Sequence, residues 1–149
     1  MSERWTPHAT VATLVEHQGR FLMVEEISAG EAVFNQPAGH VEANETLIEA
    51  ACRETLEETG WRVRPTALLG LYTYTSPSNG VTYHRYCFIA EGIEAVAGAE
   101  LDEGIIGPRW MDIDELRQCQ RLRSPMVLTC VEDYLAGKRF PLDIIVEHP

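Results

Sequence analysis

A single lysine, widely scattered cysteines and the lack of any long apolar run narrow what this chain can be. A membrane-spanning helix needs roughly 18–20 consecutive apolar residues, and no stretch of the sequence approaches that. The opening Met1-Ser2-Glu3-Arg4-Trp5-Thr6-Pro7 lacks the apolar centre of a secretory signal. A cytoplasmic location is therefore the default expectation. Cys52, Cys87, Cys119 and Cys130 form no Cys-x-x-Cys pair, which argues against a structural zinc site or a disulfide framework and for buried free thiols. Internal repeats, low-complexity tracts and linkers are also missing. The 149 residues, 45% of them hydrophobic, suffice for a single domain over residues 1–149 with one sizeable core.

The net charge of −11 disfavours a nucleic-acid polymer or an anionic membrane as partner. It leaves room for a small polyphosphate neutralised locally by metal ions and a few arginines. All basic residues except Lys138 are arginine, a side chain that suits planar phosphate recognition, although genomic composition yields the same enrichment.

Residues 10–15 and 21–24 read as strands joined by the polar turn 16–20, a hairpin. Residues 35–44 contain Pro37, Gly39 and Asn44 and read as a loop. A helix is expected from Asn44 as N-cap to Gly60 as terminator, with Leu47, Ile48, Ala51, Cys52 and Thr55 on its core stripe. Residues 68–75 and 81–90 read as a second hairpin turning at Ser76-Pro77-Ser78-Asn79-Gly80. A flexible stretch is expected from Ala97 to Gly107, then a short strand at Arg109-Trp110-Met111 and a helix from Asp112 or Asp114. The last helix starts with Ser124 as N-cap and Pro125 at its first position, and ends at Gly137. Strands and helices mix without regular alternation, which favours an α/β fold with helices packed on a mixed sheet.

The chemistry concentrates on the first helix. Glu54, Glu57 and Glu58 sit three and four residues apart, so their carboxylates share about 100° of its circumference. Carboxylates gathered at a half-buried edge repel one another, and a hard divalent cation with oxygen ligands relieves that conflict. Such a cluster can hold metal, activate water and stabilise a leaving phosphate. Arg53, one turn before Glu57, is placed to hold a carboxylate by a charge-assisted hydrogen bond. A solvated acidic helix with routine Arg–Glu pairing has the same periodicity.

The spacing Gly39, five residues, Glu45, seven residues, Arg53-Glu54, two residues, Glu57-Glu58, one residue, Gly60 resembles the box of the Nudix hydrolase family. Thr55 departs from it, standing where the family usually has an aliphatic residue; its hydroxyl is expected to bond a carbonyl one turn back. The resemblance implies a Nudix fold, an α/β/α sandwich with a central mixed sheet. It implies Mg²⁺ as cofactor, with Mn²⁺ as a substitute. Glu57 and Glu58 would be the principal metal ligands, and Glu54 a further ligand or the base that activates water. Arg53 would orient these carboxylates, Glu45 would anchor the loop or touch metal through water, and the backbone carbonyl of Ala38 would be another ligand. Many relatives recruit one more acid from a later loop, here Glu103, with Asp102 and Glu100 as rivals.

Beyond the box, Asn35-Gln36-Pro37-Ala38-Gly39-His40, the strand Tyr83–Ala90 and residues 122–142 resemble a bacterial phosphatase branch of that family. This likeness implies orthophosphate release from nucleoside tri- and diphosphates, and action on hydroxymethylpyrimidine pyrophosphate and thiamine pyrophosphate. The alternatives are a Nudix pyrophosphohydrolase giving a monophosphate plus pyrophosphate, an ADP-ribose hydrolase, or an inert nucleotide sensor. A sensor would be expected to have lost box acids, and all are present here. The expected partner is a small nucleotide or pyrophosphate, and the chain is a monomer or a homodimer.

Three further residues have a substrate-binding reading beside a bland one. Arg85 in an apolar strand either points inward to a phosphate or faces solvent, with Cys87 on its side of the strand. Arg123 precedes a helix start, an anion-binding position, or is an ordinary loop arginine. His40 follows the box glycine and either touches phosphate or water or has no specific role. Trp5, Phe34 and Tyr74 are candidates to stack on a ring or, equally, to pack in the core.

Overall fold

The computed structural model describes residues 3–148; Met1, Ser2 and Pro149, and so part of the N-terminal reading, lie outside them. The first hairpin forms and runs longer than expected, with β1 (His8–His17) and β2 (Arg20–Ser28) meeting at Gln18-Gly19. Both turn residues have positive φ, 51° and 79°, as a two-residue hairpin turn with right-handed strands requires. A second such turn at Ala29-Gly30 leads into β3 (Glu31–Asn35), a strand that five residues of weak alternation do not announce.

Residues 38–40, expected within a loop, form β4 (Ala38–His40), which pairs with β1. Three residues are too few to carry a period of two, and their partner lies far back in the sequence. The helix α1 (Leu47–Thr59) starts later than expected: Thr46, not Asn44, is its N-cap. The Thr46 hydroxyl accepts from the Glu49 N–H at 3.1 Å, and the Glu49 carboxylate accepts from the Thr46 N–H at 3.0 Å, a reciprocal capping box. Asn44 instead takes a left-handed turn conformation, φ 65°. Gly60 ends the helix as expected, at φ 75°.

The second hairpin, β5 (Trp61–Thr75) and β6 (Thr82–Ala95), is longer than its apolar segments indicate. Register irregularities at Arg62/Val63, Pro65/Ala67 and Leu68/Gly70 interrupt the alternation that would have revealed it. β7 (Ile105–Asp112) begins inside the stretch expected to be flexible. Asp112 caps α2 (Ile113–Gln118), and Ser124 caps α3 (Pro125–Leu135), with Pro125 at the first position.

The strands run in the order β3-β2-β1-β6-β5, with β4 and β7 added on β1 and β2. β1 is parallel to β6 and the other pairings are antiparallel, so the sheet is mixed. Because side chains alternate across a strand, Val11, Leu68 and Phe88 pack on Ala50 and Ala51 of α1. Their neighbours Ala12, Leu14, Leu69 and Cys87 pack with Val127, Cys130 and Val131 of α3 on the opposite face. The result is an α/β/α sandwich. No helix among the described residues is long and apolar enough to cross a membrane.

The C-terminal segment contributes two contacts that the sequence does not advertise. Phe140 bridges Leu68 of β5 through paired 2.8 Å backbone bonds. Glu147 then accepts from the Leu47 N–H at 3.1 Å, which places a carboxylate at the positive end of α1.

Thr55 is fully buried and its hydroxyl donates to the Ala51 carbonyl at 2.7 Å, one turn back as expected. The same oxygen lies 2.9 Å from the hydroxyl of Thr13 on β1, so it joins helix to sheet. Thr55→Val should therefore cost about 1–3 kcal/mol in urea unfolding, because the Thr13 hydroxyl is left buried without its partner. An unchanged midpoint would show that this bond contributes nothing.

Candidate active site

The half-buried edge of α1 carries an acidic cluster built around Arg53. Its guanidinium donates to Glu45 through Nε at 2.6 Å and Nη2 at 3.0 Å, a bidentate pair. It also reaches Glu54 at 2.9 Å, Glu57 at 3.2 Å and the His40 carbonyl at 3.0 Å. The Arg53 bond holds Glu45 below its ordinary pKa. Glu54 is raised, by burial first, although Arg53 opposes the shift. Glu57 is also raised, by burial and then by the neighbouring Asp102, with Arg53 again opposing.

Asp102 reaches the cluster because the loop before β7 is tied to the end of α1. The Asp102 N–H donates to the Glu57 carbonyl at 3.0 Å, and the Val96 N–H to Gly60 at 2.8 Å. Carboxylate oxygens of Glu54, Glu57 and Asp102 consequently lie within 4.8 Å of one another. An all-oxygen donor set at this spacing fits a hard divalent cation.

β4 closes the cluster from behind. Gly39 packs so tightly on Glu54 that a Cβ there would overlap the carboxyl group. The Ala38 N–H donates to Glu58 Oε1 at 2.8 Å. Gly39 is the β4 residue opposite Val11, and antiparallel alternation turns the N–H and C=O of Ala38 away from β1. Burial pushes the Glu58 carboxyl up to about 8, with Glu54, Glu26 and Asp102 adding to the rise and the Ala38 N–H opposing it.

On the far side of β4 lies a cavity of about 220 Å³, whose walls include Ala38, Gly39, His40, Arg85, Arg123 and Glu26. Arg85 is 7% exposed and donates through Nη1 to Gln36 Oε1 at 3.0 Å. Arg123 Nε stands 3.7 Å from Glu26. Burial raises Glu26, with Arg123 and Asn35 opposing. His40 is lowered, by burial and then by His8, whose Nδ1 lies 3.0 Å from His40 Nε2.

A carboxylate cluster beside a cavity lined by arginines suits hydrolysis at phosphorus, and the comparisons with known proteins agree. The NUDIX domain family model matches residues 5–128. This chain belongs to that family. It is 40% identical over 139 residues to the phosphatase NudJ of Escherichia coli strain K12, an alignment covering 93% of this chain and 90% of that protein. A NUDIX hydrolase from Nitrosomonas europaea superposes with a TM-score of 0.93 at 45% identity, covering 96% of this chain and 98% of its own. A UDP-X diphosphatase shares the fold at a TM-score of 0.75 and 19% identity, covering 94% of this chain and 68% of that one. The chain is thus a Nudix hydrolase, an enzyme of phosphorus-containing anhydrides.

Within this Nudix hydrolase the expected residues fall into two groups on either side of β4. Glu45, Arg53, Glu54 and Glu57 form one bonded cluster, and Glu58 stands behind it on the Ala38 N–H. Among the loop acids it is Asp102 that joins the cluster, whereas Glu100 and Glu103 are exposed outside it. His40, Arg85 and Arg123 share the cavity, so Arg85 points inward. Tyr74 also lines it, but Phe34 is buried in the core and Trp5 is exposed, edge-on to His84.

Glu26 and Asn35 were not anticipated. A charged residue following the apolar run Phe21-Leu22-Met23-Val24 is the available signal for Glu26, and Asn35 heads the segment 35–40 that carries the resemblance without being given a role there.

Two predictions follow from this geometry. Gly39→Ala should displace Glu54 and weaken Mn²⁺ affinity by roughly ten- to a hundredfold; titration by electron paramagnetic resonance reads this directly, and unchanged affinity would contradict the packing described. The second concerns pH in excess chelator. Glu58 retains its proton to about pH 8 when folded, against an ordinary value of 4.5. The folded state therefore binds more protons between these limits, and stability should fall as pH rises through that window. Denaturant midpoints in wild type and Glu58→Gln check this, the variant being flatter.

Proposed function

We propose that this single-domain Nudix hydrolase is a magnesium-dependent phosphohydrolase that releases orthophosphate from nucleoside tri- and diphosphates and from hydroxymethylpyrimidine and thiamine pyrophosphates. The observation that carries the reaction class is the convergence of Glu54, Glu57 and Asp102 on one point, beside a cavity that holds two arginines. The substrate range rests on the 40% identity to NudJ over most of both chains.

Glu54, Glu57 and Glu58 would hold Mg²⁺, or Mn²⁺ in its place, with the Ala38 carbonyl and Asp102 nearby as further oxygen donors. Of the loop acids, Asp102 is better supported than Glu103, which lies exposed outside the cluster. A divalent cation bound there supplies charge neutralisation for phosphate oxygens and eases deprotonation of water.

The protein's own groups do the rest. Glu54, raised by burial, is the candidate to take the proton from the attacking water. Arg53 fixes the carboxylates so that little reorganisation accompanies the reaction. Arg85, Arg123 and His40 line the space where phosphate would lie.

A product assay with Mg²⁺ tests this reading. Orthophosphate and pyrophosphate are followed separately over nucleoside tri- and diphosphates, hydroxymethylpyrimidine pyrophosphate, thiamine pyrophosphate and ADP-ribose. Direct orthophosphate release is expected. Pyrophosphate, or a monophosphate from ADP-ribose, would instead favour another Nudix specificity, and binding without turnover would favour a sensor. Glu57→Gln and Glu58→Gln should each lower turnover by at least about a hundredfold with an unchanged circular dichroism spectrum, as should excess chelator. Full activity in either variant would remove the assigned role.

A further inference from the structure

We propose, building on the orthophosphate-releasing reading, that the cavity around Arg85 is an end-on subsite for the terminal phosphoryl group of the substrate. Which phosphorus meets the attacking water would then be decided on the α3-covered face of the sheet rather than by the glutamate helix.

Arg85 is the basis. It is 7% exposed, one nitrogen donates to Gln36, and its Nε is buried with no partner at all. Among the described residues, no carboxylate lies within ion-pair distance of it, whereas Glu26 pairs with the second cavity arginine, Arg123. A guanidinium does not shed its proton in a protein. Glu58 and Glu26 act on it only from beyond contact distance; buried without a contacting counter-ion it is costly, and an anion arriving in the cavity lowers that cost.

A phosphoryl group suits the remaining walls. Ser124 caps α3, an eleven-residue helix whose positive end therefore opens beside Arg123. Ser124 itself and Ser76 also line the cavity. Ala38 and Gly39 line it too, and on their other side they contact Glu58 and Glu54. A phosphorus atom held at Arg85 is thus separated from the carboxylate cluster by the width of β4 alone.

The terminal phosphorus is then the one attacked. The water oxygen bonds to it, and its bond to the bridging oxygen breaks. The electron pair stays on that oxygen in the shortened substrate, and the water proton passes through water at the free edge of β4 to Glu54 and on to solvent. Products are orthophosphate and the substrate less one phosphoryl group. The rest of the substrate extends away from the cavity, so selection among bases should be weak.

The test uses wild type, Arg85→Gln, Arg85→Lys and Arg123→Gln, the last altering a half-exposed side chain. Inorganic orthophosphate binding is measured by calorimetry with and without Mg²⁺. Hydrolysis of a nucleoside triphosphate is run in ¹⁸O-water, with the label located by mass spectrometry. Wild type should place the label in orthophosphate. Arg85→Gln should bind orthophosphate roughly ten- to a hundredfold more weakly and lose orthophosphate relative to pyrophosphate; Arg85→Lys and Arg123→Gln should show smaller losses in the same direction. If Arg85→Gln does not fold, the other two variants decide.

Unchanged orthophosphate binding in the folded variants, with wild type still releasing labelled orthophosphate, would overturn the subsite and leave the hydrolase reading standing. Wild type that yields only pyrophosphate would overturn the product reading and the end-on placement together. If the arginine variants instead lose affinity for unphosphorylated hydroxymethylpyrimidine, the cavity holds the ring and the proposal fails.

Discussion

Arg53 stands within 4.0 Å of four carboxylates, those of Glu42, Glu45, Glu54 and Glu57, and the arrangement of the acidic edge depends on it. Without a fixed cation among them, these acids would splay into solvent to lower their mutual repulsion. The bidentate pair with Glu45 locks the guanidinium plane, and the bond to the His40 carbonyl ties that plane to β4. Helix and strand are thereby held in register. An arginine serves here where a lysine would not, because three of its nitrogens act in fixed directions at once.

β4 is the second constraint. It is three residues long, yet it faces a carboxylate on one side and the cavity on the other. Gly39 is required by space, not by φ, since Glu54 occupies the position its Cβ would take. The register of β4 on β1 leaves the Ala38 N–H free of β1, so that the half-buried Glu58 has a donor. The raised carboxyl of Glu58 is the electrostatic consequence of seating an acid there.

What could be read in the sequence divides along physical lines. The helix 47–59, its glycine stop, the Ser124-Pro125 start and the facing carboxylates are local, encoded by spacing and capping chemistry, and they were legible. The start at Thr46 was missed because Asn44 and Thr46 are both good caps, and only the reciprocal bond with Glu49 separates them. β3 and β4 were missed because their pairing is with β2 and β1 and their own alternation is too short. Glu103 stands ahead of Asp102 in the sequence reading, because the bond that brings Asp102 to the cluster runs from its backbone to the end of α1 and leaves no mark in the sequence. Arg85 was ambiguous for a related reason. Strand alternation tells which residues share a face, and only the sheet order tells which face is covered.

That order also explains how opposite charges coexist without cancelling. Glu58 reaches β4 from α1 on one face of the sheet, Arg85 lies in the cavity on the other, and the Glu58 carboxylate helps to hold the proton on Arg85 from across the strand. They do not form an ion pair, because the Ala38-Gly39 backbone stands between them and Glu58 is already engaged by the Ala38 N–H. Direct contact would bury a satisfied pair and leave neither group for a ligand. Kept apart, the carboxylates remain suited to cations and the guanidinium to anions on the other side of one strand. A chain with a net charge of −11 can in this way present a positive cavity to a polyphosphate, since the field that matters is set by the nearest desolvated groups and the distant surface acids are screened by salt.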